Sequence, residues 1–313
     1  MQITNSILMV RPVRFRMNEE TAVNNYFQED LDLKNQTINA RAQDEFDDFV
    51  NVLRAKGVEV IVIDDIYERD TPDSIFPNNM ISFHANGIVG LYPMFAENRR
   101  RERREDILDL LEEKGFIIEG VIDYTSAEEE GLFLEATGSI VMDREHQKAY
   151  CALSPRADEG LFIEFCEDMD CMPVIFTAYQ SVDGNRMPIY HTNVMMSIAE
   201  SFAVICLDSI DDKKERKNVV DHLKTDGKEI IPITEIQEQN FAGNMLQVIG
   251  ADEKRYMVMS SAAFNSLTSM QLKTINKYCE IIHSPLDTIE TCGGGSARCM
   301  MAEIFLPRRN DHS

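Results

Sequence analysis

Five stretches of this chain are built alike: FPNNMISFHANGIVGLYPM from Phe76, LEATGSIVMDREHQKAYCALS from Leu134, YHTNVMMSIAESFAVICLDS from Tyr190, FAGNMLQVIGADEKRYMVMSS from Phe241 and GSARCMMAEIFLP from Gly295. Each opens on small or polar residues and runs into an apolar strand. The first four continue through a polar turn into a second apolar strand. With Asn79, Gly138, Asn193, Asn244 and Cys299 as anchors, the intervals are 59, 55, 51 and 55 residues. Self-similarity at a near-constant period means one supersecondary unit used repeatedly, each copy burying an apolar face against its neighbours.

The rest of the unit repeats as well. Helical apolar spacing marks Asn98 to Lys114, Asp158 to Asp168, Asp211 to Thr225 and Ser266 to Tyr278. A β-rich run follows each one: Phe116 to Val121, Met172 to Tyr179, Glu229 to Ile233 and Glu280 to Ser284. The unit is therefore strand, strand, helix, strand. The fifth copy breaks off after Pro307, and its missing parts stand at the other end: a strand at Ser6 to Phe15, a helix at Gln36 to Lys56 and a strand at Val58 to Asp64. Pairing of the C-terminal strand with the N-terminal one would close the set and leave no free sheet edge. The expectation is an α/β fold, a pseudo-fivefold five-bladed propeller of ββαβ repeats, forming one catalytic domain over 1–313.

Charge narrows the partners. Lys and Arg number 31 against 54 Asp and Glu, a formal charge of −23, which repels phosphate backbones and anionic lipid surfaces. Nucleic acid and membrane are therefore not expected as partners; a small molecule is, and a homo-oligomer stays open. The cluster from Arg99 to Arg104 (RRRERR) reads as a solvated helical face. The seven cysteines include no CxxC pair, and the histidines form no metal-binding pattern, so no disulfide, structural zinc or other cofactor is expected. A short apolar stretch at the start runs into Arg11, unlike a signal peptide. A reducing, cytoplasmic setting is the expectation.

If the first strand of each unit lies around a common axis, the residues at the strand starts converge on one mouth. Asn79, Glu135, His191, Asn193, Asn244 and Cys299 all sit at that phase of the repeat, the arrangement expected of a small-molecule pocket. Cys299 follows the glycine run of CGGGSARC, where bare backbone lets a ligand approach, and the neighbouring Arg298 favours a thiolate. His191 is then a candidate general acid/base for covalent cysteine chemistry. Glu135 is a carboxylate placed to hold a cationic or amide-rich group. The other cysteines read as packing residues, with Cys292 left open.

These motifs carry a family resemblance. The ending CGGGSARCMMAEIFLP, the opening MVRPVRFRMNEETAVNNYFQ and the motifs FPNN, LEATGS, YHTN and FAGN together resemble the pentein or amidinotransferase superfamily, in particular its arginine-deiminase-related branch with the citrulline-utilisation hydrolases. The resemblance covers nearly the whole chain and implies a five-bladed ββαβ propeller. It implies Cys299 as the nucleophile attacking a guanidino-type carbon, His191 as the histidine that protonates the leaving amine and activates water, and Glu135 as the carboxylate beside them. Arginine deiminases of this superfamily place aspartates where this chain has Asn79 and Asn193. An aspartate pair clamps a guanidinium through charge-assisted hydrogen bonds, whereas asparagine offers a neutral acceptor and a donor. The two asparagines therefore favour a neutral ureido group, with hydrolysis of citrulline to ornithine as the expected reaction. The alternatives are deiminase or amidinotransferase activity on a guanidine, and a non-catalytic binding propeller. Arg11, with Arg14 and Asn25, falls in the N-terminal motif and is a candidate for a substrate carboxylate. Glu68 to Ile75 and Ser126 to Gly131 are candidate mobile loops.

Overall fold

Residues 1–309 are described by a computed structural model. Apolar side chains are spaced along the helix Asn35–Ala55 so that Ile38, Ala42, Phe46, Phe49, Val50 and Leu53 share one buried face. Burying Phe46 and Phe49 contributes about 2–3 kcal/mol each. That face covers strands β1 (Ser6–Arg11) and β2 (Glu59–Asp64), which pair in parallel from Ser6↔Glu59 to Arg11↔Asp64. A parallel pair needs a long crossover, and the helix supplies it.

The same plan recurs four times along the chain. Strands β3 (Ile81–Phe83), β4 (Ile88–Leu91) and β5 (Gly120–Asp123) form one sheet, and β6 (Ile140–Asp143), β7 (Lys148–Leu153) and β8 (Met172–Thr177) another. A hairpin of β9 (Tyr179–Val182) and β10 (Asn185–Pro188) intervenes, outside the repeat. Then come β11 (Met196–Ile198), β12 (Phe202–Ile205) and β13 (Glu229–Pro232), followed by β14 (Leu246–Ile249), β15 (Arg255–Ser260) and β16 (Glu280–Ser284). In every sheet the lead strand is antiparallel to the middle strand, and the middle strand is parallel to the last. The crossover helices Glu159–Asp168, Lys213–Thr225 and Ser269–Ile275 start where Asp158, Asp212 and Thr268 cap the free N–H groups of the first turn. Thr268 does so within a capping box with Gln271.

The two chain ends do meet. Strand β17 (Ala302–Glu303) pairs antiparallel with β1 through Ile7↔Glu303 and Leu8↔Ala302, so β17, β1 and β2 make the fifth sheet. The expectation of a closure without free edges is corrected: the five sheets stay separate, each three strands wide with two edges of its own. Two helices also differ from expectation. The stretch from Asn98 yields one short turn, Glu97–Arg100, and a helix only from Asp106 to Glu113, because Arg99 and Glu102 are buried. The strand expected from Phe116 starts later, at Gly120. Ahead of β3, β6 and β11 stands a single helical turn, at Pro77–Asn79, Ala136–Ser139 and Thr192–Met195. These turns hold Asn79 and Asn193 and have Glu135 and His191 at their N-caps. No helix among the described residues is long and apolar enough to cross a membrane.

Candidate active site

Cys299 lies in the turn before β17, with its backbone N–H bonded to the Ser296 carbonyl at 3.0 Å. The thiol is buried. Asn244 Nδ2 donates to its sulfur at 3.2 Å, and Asn193 Nδ2 stands 3.6 Å away. The orientation of the Asn244 amide is dictated by backbone. Its Oδ1 accepts the Arg298 N–H at 3.0 Å, and its Nδ2 also donates to the Asn193 carbonyl at 3.0 Å. An N–H must therefore face the sulfur.

His191 and Glu135 are brought together at 2.7 Å between Nε2 and Oε2, both fully buried. Burial alone would raise the Glu135 carboxyl, but Arg156, His191 and Arg99 outweigh it and hold the group well below the usual carboxylate range. As a carboxylate it can only accept, so the proton of the imidazole sits on Nε2 and Nδ1 carries the free lone pair. Burial pushes His191 down to about 4, against the opposing pull of Glu135. The imidazole is neutral at neutral pH and ready to take a proton. A Cβ at Gly138 would stand 2.9 Å from His191 Nδ1 and 2.3 Å from Asn79 Nδ2; the glycine of LEATGS leaves room for both. Glu135 itself does not line the cavity. It also accepts the Phe95 N–H at 3.0 Å, so it orients His191 from behind.

The cavity in front of Cys299 is about 10 Å³, bordered by His191, Asn79, Tyr190, Phe76 and Asn25 together with three charged groups, Asp73, Arg99 and Arg156. Asp73 lies in the stretch expected to be a mobile loop. Instead 71–75 is buried throughout. Asp73 Oδ2 accepts from Asn18 at 2.8 Å and Thr21 at 3.1 Å, while Oδ1 has no partner. Burial raises this carboxyl although Arg99 stands nearby. Arg99 is the second correction: it leaves the solvated face it was assigned to, forks onto Glu102 at 2.9 and 3.0 Å and donates to Asn79 Oδ1 at 2.8 Å. Arg156 is anchored through Asn24 and the Thr21 carbonyl, its NH1 making only a 3.5 Å approach to Glu135. The other candidate loop, Ser126 to Gly131, is an exposed turn tied down by Glu128 to Arg103 at 2.5 Å.

Two expected site residues lie elsewhere. Arg11 forks onto Asp47 through two 2.8 Å bonds at the surface and does not border the cavity. The Arg298 side chain turns away from Cys299 to the Met301 carbonyl at 2.8 Å and Glu303 at 2.5 Å. Of the N-terminal motif, Asn25 does arrive: it donates to the carbonyls of Gly293 and Gly294 at 3.3 and 3.4 Å. That answers the glycine run. A Cβ at Gly293 or Gly295 would meet the Phe76 ring at 2.7 or 3.0 Å, and Gly294 has φ of +61° beneath Asn25 and Gln28. The bare backbone is covered by protein side chains, and the Tyr190 hydroxyl donates to the Gly294 carbonyl. Cys292 packs in the apolar core.

A family model described as eukaryotic N,N-dimethylarginine dimethylhydrolase matches residues 11–306. A search of curated proteins gives no match. Among solved structures, apo ArgZ, an arginine dihydrolase from the ornithine–ammonia cycle in cyanobacteria, aligns with a TM-score of 0.73 at 15% identity, over 98% of this chain and 41% of that one. This chain thus spans less than half of full-length ArgZ. The N-terminal domain of an ArgZ variant, covalently bound to a reaction intermediate, aligns at 18% identity and a TM-score of 0.69, over 96% and 99% of the two chains. A cysteine variant of the dimethylarginine dimethylhydrolase DDAH from Pseudomonas aeruginosa, complexed with citrulline, aligns at 14% and 0.66, over 96% and 100%. At such identities the likeness establishes a shared fold, that of the pentein enzymes, and the match over nearly the whole sequence establishes the family. The chain belongs to the family described as eukaryotic N,N-dimethylarginine dimethylhydrolase.

Proposed function

We propose that this chain hydrolyses the terminal C–N bond of a ureido amino acid, citrulline to ornithine, with Cys299 as nucleophile and His191 as proton carrier. The observation that carries the reading is the character of the groups around the sulfur. Asn193 and Asn244 surround it with neutral amides, and Asn79 presents a third amide to the cavity. Asp73 is the single carboxylate among the described residues that line it. One carboxylate beside Arg156 suits the ammonium and carboxylate of an amino-acid head group. A guanidinium added to that would lie buried without its own counter-charge.

The chemistry follows from the proton positions. His191 Nδ1 takes the Cys299 proton as the sulfur bonds to the ureido carbon, then gives it to the terminal nitrogen, which leaves as ammonia. Water, deprotonated by the same nitrogen, attacks the thiocarbamate; the C–S bond breaks, the sulfur regains its proton, and the released N-carboxy-ornithine falls apart to ornithine and carbon dioxide. Glu135 stabilises the imidazolium formed on the way. We further infer that the five sheets stand as blades about one axis in one catalytic unit, and that the free cysteines fit a reducing compartment such as the cytoplasm. A second reading rests on Asp73 Oδ1: if that oxygen meets a guanidinium instead of an ammonium, arginine or a methylated arginine becomes the substrate.

The test is ammonia release from citrulline, arginine, agmatine and dimethylarginine, with Cys299→Ala as control. Cysteine-dependent release mainly from citrulline, with ornithine formed, is the expected result. Faster consumption of a guanidine would overturn the ureido reading and favour the second one.

A further inference from the structure

The Arg298 side chain, turned away from the catalytic cavity, borders a second one. This cavity lies further along the lead strands, between Met142 of β6, Ser197 of β11 and Glu303 of β17, with Arg144, Arg298 and Gln2 around it, and its volume is about 30 Å³. Its charges do not balance. Glu303 is the one carboxylate among the described residues lining it, and Arg298 occupies that carboxylate at 2.5 Å. Arg144 forms no ion pair among the described residues; its guanidinium lies over the Phe305 ring at 4.0 Å and approaches His84 Nδ1 at 3.5 Å. Burial pushes His84 down to about 3, so it brings no negative charge and stays neutral.

A guanidinium cannot shed its charge by losing a proton at ordinary pH, and half-buried Arg144 holds that charge partly out of water without a carboxylate of its own. Two guanidinium groups against one carboxylate leave an excess positive charge. The Ser197 hydroxyl adds an independent sign: it is 6% exposed and has no hydrogen-bond partner. The Gln2 side chain is already engaged, donating to the carbonyls of Met142 and Ile198 at 2.9 and 3.2 Å and accepting the Arg144 N–H at 2.7 Å. What the cavity lacks is an acceptor with negative charge. Its volume accommodates a monatomic ion or a water or two.

We propose that this cavity binds a small monovalent anion of halide size, held by Arg144, Arg298 and the Ser197 hydroxyl. The site is independent of the catalytic reading, since it uses none of the groups assigned to the reaction. Bromide is the probe. Wild-type crystals grown in bromide are expected to give an anomalous peak within hydrogen-bond reach of both guanidinium groups; water alone in the cavity overturns the proposal. In solution, bromide at saturating concentration is expected to raise the melting temperature by about 2–4 °C over gluconate at equal ionic strength. Arg144→Gln should abolish that difference, and an equal rise in wild type and variant overturns the proposal. If Arg144→Gln does not fold, the crystal measurement decides, because it needs no variant.

Discussion

Cys299 and Arg298 are neighbours in sequence, yet their side chains serve opposite regions of the lead strands. Around the cavity in front of Cys299 two guanidinium groups, Arg99 and Arg156, meet three carboxylates, Asp73, Glu102 and Glu135. The group left without a partner there is an acceptor, Asp73 Oδ1. In the second cavity the balance is reversed: Arg144 and Arg298 share Glu303, and the group without a partner is the Ser197 hydroxyl. Buried polar groups are normally satisfied, so each orphan marks a place where a partner is missing, and the surrounding charges give its sign. The comparison teaches that adjacency in sequence says little about shared chemistry here, whereas the local surplus of charge says much.

If the two regions divide catalysis from stability, substitutions should separate the two readouts. His191→Asn removes the proposed proton carrier and should lower kcat by about 10²–10⁴-fold, with the fold retained. Glu303→Gln leaves Arg298 without its carboxylate in a mostly buried pair, and should cost about 3 kcal/mol of stability while changing kcat less than about tenfold. Ammonia release and thermal melting on the same preparations give both numbers. A collapse of kcat in Glu303→Gln at temperatures where it is folded would break the division, and would mean that the Arg298 turn controls the nucleophile.

Asp73→Asn tests the orphan acceptor. A charge-assisted hydrogen bond to substrate is worth about 1.5–3 kcal/mol, so KM should rise by about 10–150-fold with kcat largely kept. Melting temperature should hold or rise, because the change removes a buried carboxylate that has one empty oxygen. Loss in kcat at unchanged KM would place Asp73 against the reacting carbon and favour the guanidine reading.

The repeat was legible because its period comes from strands that must be apolar and turns that must be small, and both leave marks in one sequence. Cys299, His191 and Glu135 were reachable through it, since they stand at one phase of the unit. Asp73, Arg99 and Arg156 were not. Arg99 begins a run of arginines that otherwise reads as a solvated face, and only the carboxylates folded around it, Glu102 above all, reveal its burial. Asp73 sits in a Pro- and Ser-flanked stretch with loop composition, whose burial depends on Asn18 and Thr21 arriving from the N-terminal segment. Arg11 misled for the complementary reason: it belongs to the right motif, but Asp47 on the adjoining helix captures it.

The smallest expected effect concerns pH, and it splits activity from stability again. Burial lowers His191 to about 4 from an ordinary value of 6.5, so its share of stability is present above pH 6.5 and is lost as pH falls toward 4. Activity that depends on the neutral imidazole should therefore persist well below pH 6.5, with its acid limb nearer 4. Burial has the opposite effect on Glu290, which rises from 4.5 to about 7 despite the hydroxyls of Ser260 and Ser296. Its folded form holds a proton that the unfolded chain releases, so that contribution is complete below pH 4.5 and is lost as pH rises through 7. Wild type should thus lose a few degrees of melting temperature between pH 5 and pH 8, about 2–4 °C per kcal/mol. Glu290→Gln, which cannot ionise, should lose less over that range, keeping only the share of Glu102 and Glu238. Since Glu290 accepts from Ser296, three residues before Cys299, a matching loss of activity in wild type above pH 7, absent from Glu290→Gln, would show that its ionisation reaches the nucleophile. A melting difference that persists unchanged in the variant would assign the alkaline loss to Glu102 or Glu238, which burial also raises to about 7.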